Sequence, residues 1–325
     1  MKAYNAVMRT VMAGLLLGLA GSVAAQQDYP NKPIRLIVPF PPGGSTDPIA
    51  RLIGQKLAES WGQQIIVDNR PGGNTIIGTE ALAKSAPDGY TMLSATSTFV
   101  ISPHLVPSLP YDSFKDFAPV ATLTLTEMVL VLNASVPANN LQELIALAKS
   151  KPGQLNCASS GTGSANHLAS EFLNIQAGIK TQHIPYKGGG PVLADLLGGV
   201  VQMAFSPPLA FLPHIKSGRL KPIAVSGDSR HSSLPQVPTF AEAGLPGYSI
   251  GYWIGVFAPA GTPKAIIDKA STEIGRILAM ADTKEKIAAQ GMESFISNPE
   301  QFAALLKADT AKWGKVIKTA NIKLE

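Results

Sequence analysis

The chain has 325 residues, a formal net charge of +5 and one cysteine. Charge is sparse and never blocked by sign, which argues against nucleic-acid or membrane-surface partners. Lone Cys157 excludes an internal disulfide or a thiolate metal cluster, and a chain of this length is expected to fold as more than one domain.

Residues 1–25 read as a secretory leader. Lys2 and Arg9 make a positive start, residues 11–20 are a short apolar run, and Val23-Ala24-Ala25 supplies small residues for cleavage. Its removal takes away two cations and no anion, lowering the charge from +5 to +3. The apolar run falls short of the roughly 18 residues of a spanning helix, and no later stretch reaches that length. No cysteine near the cleavage site offers a lipid anchor. The expected product is exported to the periplasm.

Ile34-Arg35-Leu36-Ile37-Val38 predicts a buried parallel strand. The loop after it, Pro39-Phe40-Pro41-Pro42-Gly43-Gly44-Ser45-Thr46-Asp47, ends at Pro48, a suitable first helical residue. Asp47 reads first as the N-cap and second as a ligand contact. Glycines bare the backbone N–H groups here, and a helix N-terminus attracts anions. A strand over 64–67, a turn over 69–74, a helix over 76–86 and a strand over 90–93 follow. The last runs into the small polar stretch Ser94-Ala95-Thr96-Ser97-Thr98, whose Thr96 and Ser97 join the candidate ligand residues. This alternation predicts a parallel, doubly wound sheet.

Residues 118–133 form a long β-rich stretch, read as one strand leaving a first domain for a second. A helix over 141–149 leads to a repeat of the opening pattern. Residues 155–158 are a strand, Ser159-Ser160-Gly161-Thr162-Gly163-Ser164 a small-residue loop, and 165–177 a helix stopped by Gly178. Two βα units follow, with strands over 181–186 and 201–205, then a strand over 220–226. A proline-rich passage over 234–247 carries the chain back to a return strand over 252–257. The C-terminal third is helical, and Phe302, Leu305, Leu306, Trp313 and Val316 fall on one stripe. The expected division is domain 1 from 26–125 with 248–325, and domain 2 from 126–247.

Both loops follow the carboxyl end of a parallel strand, where open α/β sheets bind ligands. Neither completes a dinucleotide fingerprint, for Asn166 stands at the third glycine position, and neither carries the Gly-Lys-Ser/Thr of a phosphate loop. Neither contains Lys or Arg, so recognition would rest on amides, hydroxyls, helix dipoles and water, which suits a carboxylate. Gly247-Tyr248-Ser249-Ile250-Gly251 matches an esterase elbow, but a proline-rich loop precedes it and all five histidines lie upstream. His167 has two open roles, facing the cleft or capping the turn. His104, His183, His214 and His231 lack metal spacing and read as structural or exposed. Tyr186 and Ser206 end strands on the cleft side, and Lys187 either faces an anion or stays solvated. No cofactor, metal or catalytic residue is expected.

Several segments in order closely resemble the Bug family, the periplasmic substrate-binding proteins of tripartite tricarboxylate transporters. They include Tyr29-Pro30-Asn31-Lys32-Pro33-Ile34, residues 39–47, Asp68-Asn69-Arg70-Pro71-Gly72-Gly73 and Pro87-Asp88-Gly89-Tyr90-Thr91. Ser159 to Ser164 with His167, Tyr186-Lys187-Gly188, Leu234-Pro235-Gln236-Val237-Pro238-Thr239 and Ala243-Gly244-Leu245-Pro246-Gly247-Tyr248 extend the match across nearly all of the mature chain. The resemblance implies a two-domain α/β type II periplasmic-binding fold. Each domain is then a mostly parallel sheet flanked by helices, with the ligand in the interdomain cleft. It also implies that residues 40–47 and 160–164 hold ligand carboxylates through amides and water. A membrane permease is then the expected partner and a monomer the expected state. One departure matters. Relatives usually carry aspartate where this chain has Ser206, which disfavours an ammonium-bearing ligand and leaves room for a di- or tricarboxylate, aromatic acids such as terephthalate included. A module that signals to a membrane sensor, and a secreted hydrolase using Ser249, remain as alternatives.

Overall fold

A computed structural model describes residues 29–43, 46–186, 189–208 and 211–323. The leader expected over 1–25 lies outside the described residues. In chain order, β1 (Ile34–Val38), α1 (Thr46–Trp61), β2 (Ile65–Asn69), α2 (Ile76–Ala83), β3 (Thr91–Thr96), α3 (Thr98–Leu105) and β4 (Phe117–Glu127) come first. Next are β5 (Val129–Asn133), α4 (Leu141–Ser150), β6 (Asn156–Ser159), α5 (Ala165–Ala177) and β7 (Gln182–Pro185). Then follow α6 (Gly189–Leu197), β8 (Met203–Ser206), α7 (Leu212–Lys216) and β9 (Leu220–Val225). The chain closes with β10 (Gly251–Pro259), α8 (Lys264–Ala279), α9 (Ala281–Ala288) and α10 (Pro299–Ala320).

Two five-stranded sheets result, ordered β2-β1-β3-β10-β4 and β7-β6-β8-β5-β9. The orders are equivalent. In each sheet the first βα strand lies second from one edge, and a single antiparallel strand, β10 or β5, lies second from the other. The sheets are therefore mostly parallel, as expected, but not wholly so.

Helices cover both faces of the first sheet. On one, α1 buries Ile49, Ala50, Ile53 and Leu57, while α8 buries Ile266, Ala270, Ile274 and Ile277, a helical repeat in each case. On the other, α10 starts at a capping box between Asn298 and Gln301, with Pro299 in its first turn. It buries Phe302, Leu306, Trp313 and Val316, while Leu305 is partly covered. The Phe302 ring meets Trp253 edge-on and tilts against Phe257. Gly255 is required here, since a Cβ would overlap that ring. Burying each such side chain contributes about 1.5–3 kcal/mol.

The long stretch over 118–133 is not one strand. It divides at Met128, with β4 in the first sheet and β5 in the second. The chain returns between Ser226 and Gly251, and the two crossings are bonded to each other. Met128 N–H donates to Ser226 Oγ at 2.9 Å, and Ser226 N–H to the Met128 carbonyl at 2.8 Å. Ser226 Oγ in turn donates to the Ile250 carbonyl at 2.6 Å, and Ile250 N–H to the Ser226 carbonyl at 2.9 Å. The passage between them lies on the second sheet: Thr239 bridges Val225, and Phe240 and Tyr248 stack with Phe205.

Helix α3 has no counterpart in the sequence reading. Its Thr, Val, Ile and Pro content is poor for a helix, but Phe99, Val100 and Ile101 are all buried, and packing overrides propensity.

Candidate functional site

The crossings fix where the loops lie. Strand β4 runs parallel to β1, so its carboxyl end at Glu127 sits on the same sheet edge as the loop after β1. Two residues later β5 begins at the carboxyl edge of the second sheet, where Val129 pairs with Ser206 and Val225. The carboxyl edges of both sheets thus meet at Met128. Each small-residue loop stands two strands, about 10 Å, from its sheet's antiparallel strand.

In the first loop Gly43 takes a positive φ of 80°. Asp47 is buried, and the helix begins one residue before it, so its carboxylate works backward instead of capping forward. Oδ2 accepts from Gly43 N–H at 3.1 Å and Arg51 Nε at 3.1 Å, while Oδ1 accepts from Asn69 Nδ2 at 2.9 Å. Asn69 Nδ2 also donates to the Phe40 carbonyl at 3.1 Å. Burial pushes the Asp47 carboxyl up, but the bonds from Arg51, Asn69 and Gly43 outweigh it, leaving the group below the ordinary carboxylate range. Asp47 therefore braces the loop with both oxygens engaged. Phe40 is half-buried; Pro41, Pro42 and Gly43 are exposed; Gly44 and Ser45 lie outside the described residues. Thr96 and Ser97 do not face solvent. Thr96 Oγ1 bonds Thr98, and Ser97 Oγ accepts from Trp253 N–H at 3.4 Å.

The second loop is built more tightly. Ser164 caps α5, its Oγ accepting from His167 N–H and donating to the Gly161 carbonyl at 2.6 Å. Asn166 Oδ1 accepts the hydroxyl of Ser160 at 3.0 Å and lies 2.6 Å from Ser164 Oγ, sharing its one proton with the Gly161 carbonyl. Gly161 and Gly163 hold φ of 141° and 77°, conformations side chains rarely adopt. His167 is buried with its Nδ1 accepting Gly163 N–H at 3.0 Å, so of its two open roles it holds the turn. Thr162 is half-buried within this loop.

Tyr186 and Ser206 are both half-buried at strand ends on this edge. Tyr186 N–H donates to the Ser159 carbonyl at 2.9 Å, and its hydroxyl donates to Asp195 Oδ2 at 2.6 Å. That carboxylate pushes the phenol up to about 12. Lys187 and Gly188 lie outside the described residues. The nearby cations near the first loop are taken, Arg51 by Asp47 and Asn69, Arg70 by Asp68. No cluster that could hold a metal ion occurs among the described residues. Ser249 is exposed in a coil ahead of β10, without the strand–turn–helix of a nucleophile elbow.

Asn69, Arg51 and Asn166 are not among the candidate residues of the sequence, because they act on the loops from β2, α1 and α5.

Residues 49–322 match the family described as the tripartite tricarboxylate transporter family receptor. Protein BugT of Bordetella pertussis is 38% identical over 325 residues, 99% of this chain and 100% of its own. Among solved structures, R. palustris Rpa4515 with adipate matches with a TM-score of 0.82 and 34% identity, covering 91% of this chain and 100% of that one. MatC from Rhodopseudomonas palustris with bound malate matches with a TM-score of 0.78 and 31% identity, covering 89% and 100%.

Proposed function

The chain belongs to the tripartite tricarboxylate transporter family of receptors, binding proteins and not enzymes, and from that premise we propose that it captures a small di- or tricarboxylate in the periplasm and delivers it to a membrane permease. One observation carries the reading. Two loops stand in equivalent places of two equivalent sheets whose carboxyl edges meet at Met128, and neither loop contains a cation. Each loop takes one end of an anion. The sheet of β1–β4 with β10 forms one domain and that of β5–β9 the other, and closure about the crossings at Met128 and between Ser226 and Gly251 lets a ligand touch both. A ligand held better in the closed state shifts the population toward it.

Loops that contain neither Lys nor Arg suit release. Micromolar affinity needs about −8 kcal/mol, which several amide and water-bridged contacts supply without a charge pair that would hold the ligand too long. Open-chain diacids come first, because the related structures named above hold adipate and malate. Ser206 offers no charge to an ammonium group, which favours acids over amino acids.

Thermal melting of the mature chain against mono-, di- and tricarboxylates, amino acids and sugars tests this. A ligand at 100 times its Kd adds about 2.7 kcal/mol to stability. Stabilisation by di- or tricarboxylates is the expected result. A response confined to sugars or cationic amino acids would overturn the proposal.

A further inference from the structure

Beneath the second loop two histidines form a unit that the receptor reading leaves without a role. The rings of His167, from α5, and His183, from β7, stack with centroids 3.6 Å apart and planes 10° apart. Each ring reaches one loop glycine. His167 Nδ1 accepts Gly163 N–H at 3.0 Å. His183 Nε2 lies 2.6 Å from Ser159 Oγ, and that hydroxyl accepts Gly161 N–H at 3.2 Å. The two glycines hold the positive φ values of the loop and have no side chains of their own to fix them.

The bond to Gly163 exists only while His167 Nδ1 is unprotonated. A proton there would set two N–H groups against each other and place a cation against the second ring. Burial, with the His183 ring adding to it, lowers His167 to about 3, and burial lowers His183 to about 4. The titratable neighbours are Glu171, 3.8 Å from His167 Nε2, and Cys157, beside His183 in the sheet. Buried Tyr248 donates to the Ala169 carbonyl of the same helix. Burial pushes all three up, the thiol to about 12.

We infer that the stacked, uncharged pair is a positioning device for carboxylate binding: His167 and His183 hold Gly163 and Gly161 in the conformation that presents the second loop to the ligand. The inference rests on the carboxylate reading above. The pair touches the loop and not the ligand, so its effect on affinity passes through two glycine amides.

Two substitutions separate this role from plain packing. His167→Asn places an amide oxygen near the Nδ1 position that cannot be protonated, and His167→Leu keeps the bulk and removes the acceptor. Amide hydrogen exchange at Gly163 in the ligand-free chain, and the Kd for adipate at pH 7.5, are the readouts. In the Leu variant Gly163 is expected to exchange roughly tenfold faster and adipate to bind roughly tenfold more weakly, the loss of one net hydrogen bond. The Asn variant restores both. Unchanged Gly163 exchange or unchanged affinity in the Leu variant overturns the inference. Should that variant fail to fold, His183→Leu takes its place, and unchanged Gly161 exchange or unchanged adipate affinity there overturns the inference instead. If the native chain binds no carboxylate, the receptor reading falls, while Gly163 exchange still decides whether the pair holds the loop.

Discussion

Replacing Ser226 with alanine would strike the one point where both crossings between the sheets are bonded together. The side chain is fully buried, and its hydroxyl accepts Met128 N–H at 2.9 Å while donating to the Ile250 carbonyl at 2.6 Å. Alanine leaves almost no cavity, so the cost is that of two buried backbone groups losing their partner. Met128 and Ile250 are each 1% exposed. A buried group left unpaired costs about 1–3 kcal/mol. The backbone bonds of Ser226 to Met128 and Ile250 survive the change and keep the crossings adjacent, so the expected loss is about 2–4 kcal/mol. Urea unfolding measures it, with the midpoint falling and the slope unchanged. A loss below about 1 kcal/mol at constant slope would refute the reasoning, since water would then be reaching a junction read as dry.

Gly255→Ala should destabilise by about 1–3 kcal/mol in the same assay, because its Cβ meets a Phe302 ring that Trp253 and Phe257 hold in place; a neutral result would mean that the ring moves freely. Asp47→Ala should free Gly43 and Asn69 and weaken dicarboxylate binding about tenfold, read by calorimetry, with a stability loss of about 2 kcal/mol; unchanged affinity would detach the first loop from the site. The histidine pair also predicts acid sensitivity. Both native values lie below the ordinary 6.5, so the unfolded chain binds protons first. Their contribution is complete above pH 6.5 and is lost as pH falls toward 4, by an amount on the order of a few kcal/mol. Urea midpoints that stay level from pH 7 to 4.5 would contradict buried neutral rings.

The sequence was most legible where local chemistry and tertiary role agree. Ile34 to Val38 is an apolar run closed by glycine and proline, and it became β1; the stripe of α10 has a period that only a helix explains. Helix α3 was hidden because its residues prefer other conformations and only burial overrides them. Met128 was hidden for the opposite reason: nothing in an unbroken β-rich run marks where hydrogen bonding passes from one sheet to another. Glycine spacing reveals the loops, but Asn69, Asn166 and His183 support them from β2, α5 and β7, and one-dimensional spacing carries no trace of that contact.

The placement of β10 has a consequence for the order of assembly. This strand lies between β3 and β4, yet it is made more than a hundred residues after them. All five strands of the second sheet are complete by Val225. Until residues 251–259 emerge, β3 and β4 have open edges facing a gap, the kind of surface that invites wrong pairing. The middle of the chain can fold as it appears, whereas the first-made strands must wait. A chain held unfolded until it is whole avoids that wait, and the sheet carrying the first loop is then the last to close.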